Sequence, residues 1–262
     1  MSTNQTTPKP VVLAAVAHPD DIEFMMAGTL LRLKDTGAEI HLWNLANGHC
    51  GTAHLSREEI INARAAEAVA SAKLAGGISH PPLFDDLAIF FDNPSLQRVA
   101  AVVRDIKPTI VLTQSPQDYM EDHQNTARLI VTACFARGML NFVTNPQRPL
   151  WNEPITLYHA LPHGLRDQFG RPVIPDMYVD TTAMLERKKA MLACHVSQKQ
   201  WLDESQGMDA YLEEMERMGV EVGEMSGRFA LAEGWLRHSS LGFCGAADNP
   251  LQDMLGEACI TR

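Results

Sequence analysis

Basic residues are scarce in this sequence. Among 262 residues, 22 Lys and Arg stand against 32 Asp and Glu, a formal charge of −10, and no long basic run occurs. Nucleic acids are held largely by Lys and Arg neutralising phosphates, so a nucleic-acid partner is not expected. Cysteine is no better organised: Cys50, Cys134, Cys194, Cys244 and Cys259 are odd in number, scattered and without a C-x-x-C pair. That excludes a disulfide framework and suits reduced thiols in a cytosol. Long hydrophobic runs are missing too. The first clean one, Val11 to Ala17, is far shorter than the roughly 18 residues of a membrane helix, and the polar residues before it leave no apolar region for an export signal. A cytoplasmic chain with no membrane partner is expected. With 45% hydrophobic residues and this length, it can bury a large core without staples.

What is present alternates. Val11–Ala17 reads as a buried strand between Pro10 and Pro19, followed by a helix over 23–36 with Met25, Met26, Leu30 and Leu33 at helical spacing and Gly37 as its stop. Ile40–Leu45 reads as a second strand. A loop with Gly48 and Gly51 leads into an Ala-rich helix from Ser56 to Ala75, where Ser56 and Glu59 have the form of a capping box. A short strand near Pro82–Phe84, a helix over Ser95–Ile106 and a strand at Thr109–Thr113 follow. Strands and helices in this order predict a mostly parallel sheet with helices on both faces. Ligands of such sheets bind beyond the carboxyl ends of the strands, so the loops after residues 17, 46 and 114 are the places to look for chemistry. Beyond about residue 200 the chain reads as a helix-rich C-terminal extension of the same domain, with Met208, Tyr211, Leu212, Met215 and Met218 forming a helical stripe for packing, an oligomer interface or a flexible cover on the site.

A dinucleotide site would place G-x-G-x-x-G directly after the first strand. Here that turn is His18-Pro19-Asp20-Asp21, which repels phosphate and suits a divalent cation. The strand at Thr109–Thr113 ends in a comparable stretch, Ser115 to His123, with several carboxylates and a second imidazole. If the two strands are neighbours, His18, Asp21 and His123 converge as three ligands. Three ligands and an open position are the mark of a catalytic ion, zinc or, with this donor set, iron(II). Asp20 then stands beside the ion as a free carboxylate, able to take a proton from activated water.

Ala17-His18-Pro19-Asp20-Asp21, with Glu23 and Gly28-Thr29-Leu30, resembles the signature of the LmbE-like (PIG-L) zinc-dependent N-deacetylases, and Asp122-His123 resembles their second motif. Gly51-Thr52, Arg64-x-x-Glu67, Lys189-Ala190 and His195-Val196-Ser197-Gln198 are further matches, so the resemblance spans about residues 11–200. It implies a three-layer α/β/α Rossmann-like fold with a mostly parallel sheet, and a zinc enzyme that removes the acetyl group from an N-acetylglucosamine-type sugar or conjugate by attack of metal-bound water. His18, Asp21 and His123 would be the ligands and Asp20 the general base. Arg64, His195 and Asp118 are the candidate substrate-binding residues. The small amino-sugar is the expected partner, in a homo-oligomer.

One departure concerns the acid. Relatives carry His-Pro-Asp-His in the second motif, where the first histidine assists the intermediate or the leaving group; here the stretch is Met120-Glu121-Asp122-His123. A thioether delivers no proton. Asp20 could serve as both base and acid, or His195, His49, His159 or His163 could substitute. Hydrolysis of another amide or an ester, and sugar binding without hydrolysis, stay open. Simpler roles exist for several residues: Arg64 as a surface partner of Glu67, His195 as a core histidine, Asp118 as a turn residue or a prop for His123, and His49 and Cys50 as a fourth ligand or a substrate contact.

Overall fold

The computed structural model describes residues 9–199, 201 and 211–262; Met208 of the stripe and most of the N-terminal segment lie outside them. One eight-stranded sheet runs through the molecule: β1 (Val11–Val16), β2 (Glu39–Asn44), β3 (Ile78–His80), β4 (Ile110–Thr113), β5 (Thr156–Ala160), β6 (Met177–Asp180), β7 (Ala232–Arg237) and β8 (Cys259–Thr261). Their order is β3-β2-β1-β4-β5-β7-β6-β8. The pairs from β3 to β5 are parallel and the three beyond are antiparallel.

The helices whose bounds lie within the described residues include α1 (Asp21–Met25), α2 (Ala27–Asp35), α3 (Arg57–Leu74), α4 (Asn93–Ile106), α5 (Glu121–Phe135), α6 (Leu185–Leu192), α7 (Tyr211–Ser226) and α8 (Pro250–Leu255). Alternate residues of β1 feed two separate cores. Val12, Ala14 and Val16 join the layer of α1, α2, α6 and α7, whereas Leu13 and Ala15 join the layer of α4 and α5. A strand buried on both faces reads as a continuous apolar run, as β1 does. Tyr211, Met215, Met218 and Val222 of α7 pack into the first core, so the described part of the stripe is packing.

Three elements differ from the sequence reading. The helix expected over 23–36 breaks at Met26 into α1 and α2. The amides of Gly28 and Thr29 are turned to the Glu233 carboxylate at 2.9 and 2.8 Å, a partner more than 200 residues away. The strand expected at Pro82–Phe84 is only a bridge from Ala46 to Phe84, the ladder strand being Ile78–His80. Pro81 and Pro82 have no amide to donate. The C-terminal part, besides α7 and α8, returns β7 and β8 to the sheet. The capping box at Ser56 and Glu59 is formed as expected.

Candidate metal centre and active site

β1 and β4 lie side by side, and between them the chain's strand order reverses: β1 is followed outward by β2 and β3, then the chain returns to β4 on the other side. The crevice at such a switch point is where this architecture binds ligands. The turn after β1 carries His18 to Asp21, and the loop after β4 carries Gln114 to Met120 before α5 begins at Glu121.

The three expected ligands meet there. His18 Nδ1 is 3.3 Å from His123 Nε2, Asp21 Oδ2 is 3.7 Å from His18 Nδ1, and Asp21 Oδ1 is 3.5 Å from His123 Nε2. Their other atoms are anchored outward. His18 Nε2 donates to Asp122 Oδ2 at 3.1 Å, and that oxygen also accepts from the Leu87 amide at 2.7 Å. Asp21 Oδ2 accepts from the His18 amide at 2.8 Å and from Gln114 Nε2 at 2.9 Å. Gln114 is itself fixed by the Ala17 amide. Asp118 Oδ1 is 3.1 Å from His123 Nδ1, which has no well-aligned hydrogen-bond partner.

This set fits a divalent ion. Two imidazole nitrogens and a carboxylate oxygen lie within 4.8 Å of one another, and a carboxylate stands behind each imidazole, as ligand histidines require. Electrostatics agree. Burial opposes protonation of His18, yet Asp122 and Asp21 outweigh it and push its pKa up to about 10. His123 is raised in the same way, Asp21 and Asp118 prevailing over burial. Burial would raise the pKa of Asp21, but His123 and His18 hold it well below the usual carboxylate range. The centre favours positive charge.

Asp20 occupies the N-cap position of α1 but makes no cap bond with its side chain; its backbone is left-handed, at φ +100°. The carboxylate is turned instead to Tyr211, whose hydroxyl donates to Oδ2 at 2.7 Å, while the Arg64 guanidinium stands 3.8 Å from Oδ1. Burial raises the Asp20 pKa and outweighs the lowering pull of Arg64, His195 and Tyr211. A carboxylate held this way is a stronger base than a free one.

Arg64 is buried and does not pair with Glu67. It donates to the Pro19 and Gly48 carbonyls at 2.6 and 3.2 Å, tying the turn after β1 to the loop after β2. Glu67 accepts from the amide and hydroxyl of Ser197. His195 is fully buried with Nε2 3.3 Å from Glu23 Oε1, and its charge reaches Asp20 only as a field. Asp118 is buried beside His123 and accepts from the Met120 amide. His49 and Cys50 cluster with Asp86 rather than with the three ligands. His159 donates from Nδ1 to the Gln114 carbonyl and faces His238, and His163 packs against Phe24.

Sequence reasoning missed Tyr211, Gln114 and Tyr119. Tyr211 was hidden in an apolar stripe, its hydroxyl the only sign. Gln114 lies in a loop already marked for inspection. Tyr119 is about half exposed, its ring edge-on to His123 at 5.9 Å.

Residues 13–134 match the PIG-L family, described as GlcNAc-PI de-N-acetylase. Diacetylchitobiose deacetylase of Thermococcus kodakarensis is 27% identical over 194 residues, covering 71% of this chain and 69% of its own length. The 4-oxalmesaconate hydratase of Pseudomonas putida is 26% identical over 206 residues, covering 75% and 77%. Among solved structures, N,N'-diacetylchitobiose deacetylase from Pyrococcus horikoshii shares the fold with a TM-score of 0.73 at 22% identity, over 93% of this chain and 89% of that one. The His18-to-Asp21 turn and Asp122-His123 both lie inside the segment that matches the PIG-L (LmbE-like) family model.

Proposed function

We propose that the protein is a metal-dependent amidohydrolase that removes the acetyl group from an N-acetylglucosamine-type sugar or sugar conjugate. The observation that carries this reading is the convergence of His18, Asp21 and His123 with Asp20 beside them, its carboxylate bonded to Tyr211 on one oxygen only. His18, Asp21 and His123 would hold the ion, zinc or iron(II). When bound, such an ion polarises an amide carbonyl and lowers the pKa of water to roughly 7.

The remaining work falls to the chain. Asp20 Oδ2 is engaged by Tyr211, so Oδ1 is the oxygen that accepts the proton of the attacking water. Tyr211 and Arg64 fix the carboxylate's direction. Met120 has no proton to give, and Asp20, once protonated, is the group placed to pass its proton to the departing amine. Tyr119, half exposed beside His123, offers an aromatic surface against which a sugar face can pack.

A second reading is favoured by Met120 together with the hydratase relative. Addition of water to a conjugated acid uses the same ion and the same base but expels no amine, so it does not need the missing histidine. The deciding experiment incubates zinc-loaded, or anaerobic iron(II)-loaded, protein with a panel of N-acetylglucosamine conjugates and with unsaturated dicarboxylates. The expected result is acetate and free amine in equal amounts, abolished in Asp20→Asn. Loss of the conjugated acid's ultraviolet absorbance without acetate from any sugar would transfer the assignment to the hydratase reading.

A further inference from the structure

The loop after β2 brings a second group of donor atoms to the same edge of the sheet. Asp86 is buried, and its carboxylate accepts from the Gly48 amide at 2.7 Å and the Cys50 amide at 2.9 Å. Those two bonds wrap the loop around Asp86, with Gly48 in the left-handed region at φ +76°. The wrapping sets the side chains of His49 and Cys50 next to each other. Cys50 Sγ is 3.9 Å from His49 Nδ1 and 3.5 Å from Nε2, and His49 Nδ1 is 4.0 Å from Asp86 Oδ2. The Asp86 amide points at His49 Nδ1 from 3.3 Å, so the ring proton sits on Nε2 and Nδ1 carries the lone pair that faces Asp86.

A thiol, an imidazole and a carboxylate are the donors that zinc and its thiophilic neighbours select. With bonds of about 2.3 Å to sulfur and about 2.0 Å to nitrogen and oxygen, tetrahedral donors stand roughly 3.3–3.6 Å apart. Closing the site turns His49 Nδ1 from the Asp86 amide toward Asp86 Oδ2, now 4.0 Å away, and rotates Cys50, which is exposed. Burial and the fields of Asp86, Asp122 and Asp85 keep Cys50 a thiol. The same fields attract a cation, and a bound divalent ion reverses that logic by deprotonating the sulfur.

We propose that His49, Cys50 and Asp86 form a second, thiophilic divalent-metal site, distinct from the His18–Asp21–His123 centre, whose filling lowers turnover at that centre. Two connections carry the effect. Leu87, which follows Asp86, gives its amide to Asp122, the carboxylate that orients His18. Arg64 bonds the carbonyls of both Gly48 and Pro19, linking the residue before His49 to the residue before Asp20. A pull on this loop therefore reaches both a ligand and the base.

The test titrates metal-free protein with cobalt(II). Uptake of a second equivalent should be accompanied by a near-ultraviolet thiolate-to-cobalt charge-transfer band. Cys50→Ser should lose the band and the second equivalent but keep the first; His123→Ala should lose the first and keep the band. Saturation at a single equivalent, or a band that survives in Cys50→Ser, would overturn the site. The regulatory part is read separately, as inhibition by excess zinc that is relieved in Cys50→Ser. Inhibition unchanged in that variant would leave the site standing and sink the coupling. Because the band needs no substrate, it is independent of which reaction the first centre performs.

Discussion

Asp20 lies between two candidate ligands in sequence and meets Tyr211 and Arg64 in space. Replacing it with Asn keeps its volume and tolerates the positive φ, since Asn is among the few residues that adopt it readily. Turnover should fall by roughly 10²–10⁴-fold, the usual worth of a general base, while the metal content stays at the wild-type value. His123→Ala should lose both. A variant at Asp20 with normal kcat would remove it from the mechanism. Tyr211→Phe tests tuning rather than chemistry. Its hydroxyl bond stabilises the charged carboxylate, so losing it raises the Asp20 pKa and keeps the base protonated to a higher pH. The acid limb of the kcat/KM profile should therefore move upward in pH, and an unmoved limb would mean that Tyr211 only packs. At this scale the convergence of His18 and Asp21 with His123 was legible, because two strand-end loops rich in imidazole and carboxylate announce themselves. Tyr211 was not, because its partner is 191 residues away and nothing in a helix's periodicity reports what its hydroxyl meets.

Among the elements, α2 shows how much of a helix end lies outside the helix. Its first amides are satisfied by Glu233 of β7, and the same carboxylate binds Lys188 Nζ of α6 at 2.6 Å, deep in the protein. Glu233→Gln would leave the Lys188 ammonium buried against a neutral amide. A loss of about 3–5 kcal/mol is expected from urea unfolding, the usual cost of breaking one side of a buried pair. A change below about 1 kcal/mol would show that the junction is not a structural anchor. Gly28→Ala attacks the same junction sterically, because a Cβ there would collide with Thr181 Cγ2. β1, β2 and β4 were readable as apolar runs and the cap of α3 as a local motif, whereas the three-residue β3, Ile-Ser-His, was not. Past residue 150 the sheet was not readable. β7 reads Ala-Glu-Gly-Trp-Leu-Arg, with a buried Glu and a Gly where a strand pattern wants β-branched residues, and both are there for α2 and for packing against Leu161 rather than for strand propensity.

For the whole molecule, the His159–His238 pair links stability to acidity. His159 Nδ1 donates to the Gln114 carbonyl and Nε2 accepts from His238 at 3.0 Å, so protonation would set two N–H groups against each other. Burial, with the His238 field, lowers the His159 pKa to about 4 from the ordinary 6.5. The unfolded chain thus binds the extra proton between those values, and stability is full above about pH 6.5 and falls as pH drops toward 4, by at most about 3 kcal/mol. Unfolding midpoints across that window should fall less steeply in His159→Gln; equal slopes would assign the acid sensitivity elsewhere. β7 has a different consequence, one for the order of events during synthesis. It is made late, yet it inserts between β5 and β6 and secures the start of α2. A growing chain therefore presents His18, Asp21 and His123 long before the strand that braces their neighbourhood leaves the ribosome, and such distant pairings close slowly. The centre becomes protected from proteolysis only once residue 237 has emerged, which stalled nascent chains of graded length would reveal as a single late step.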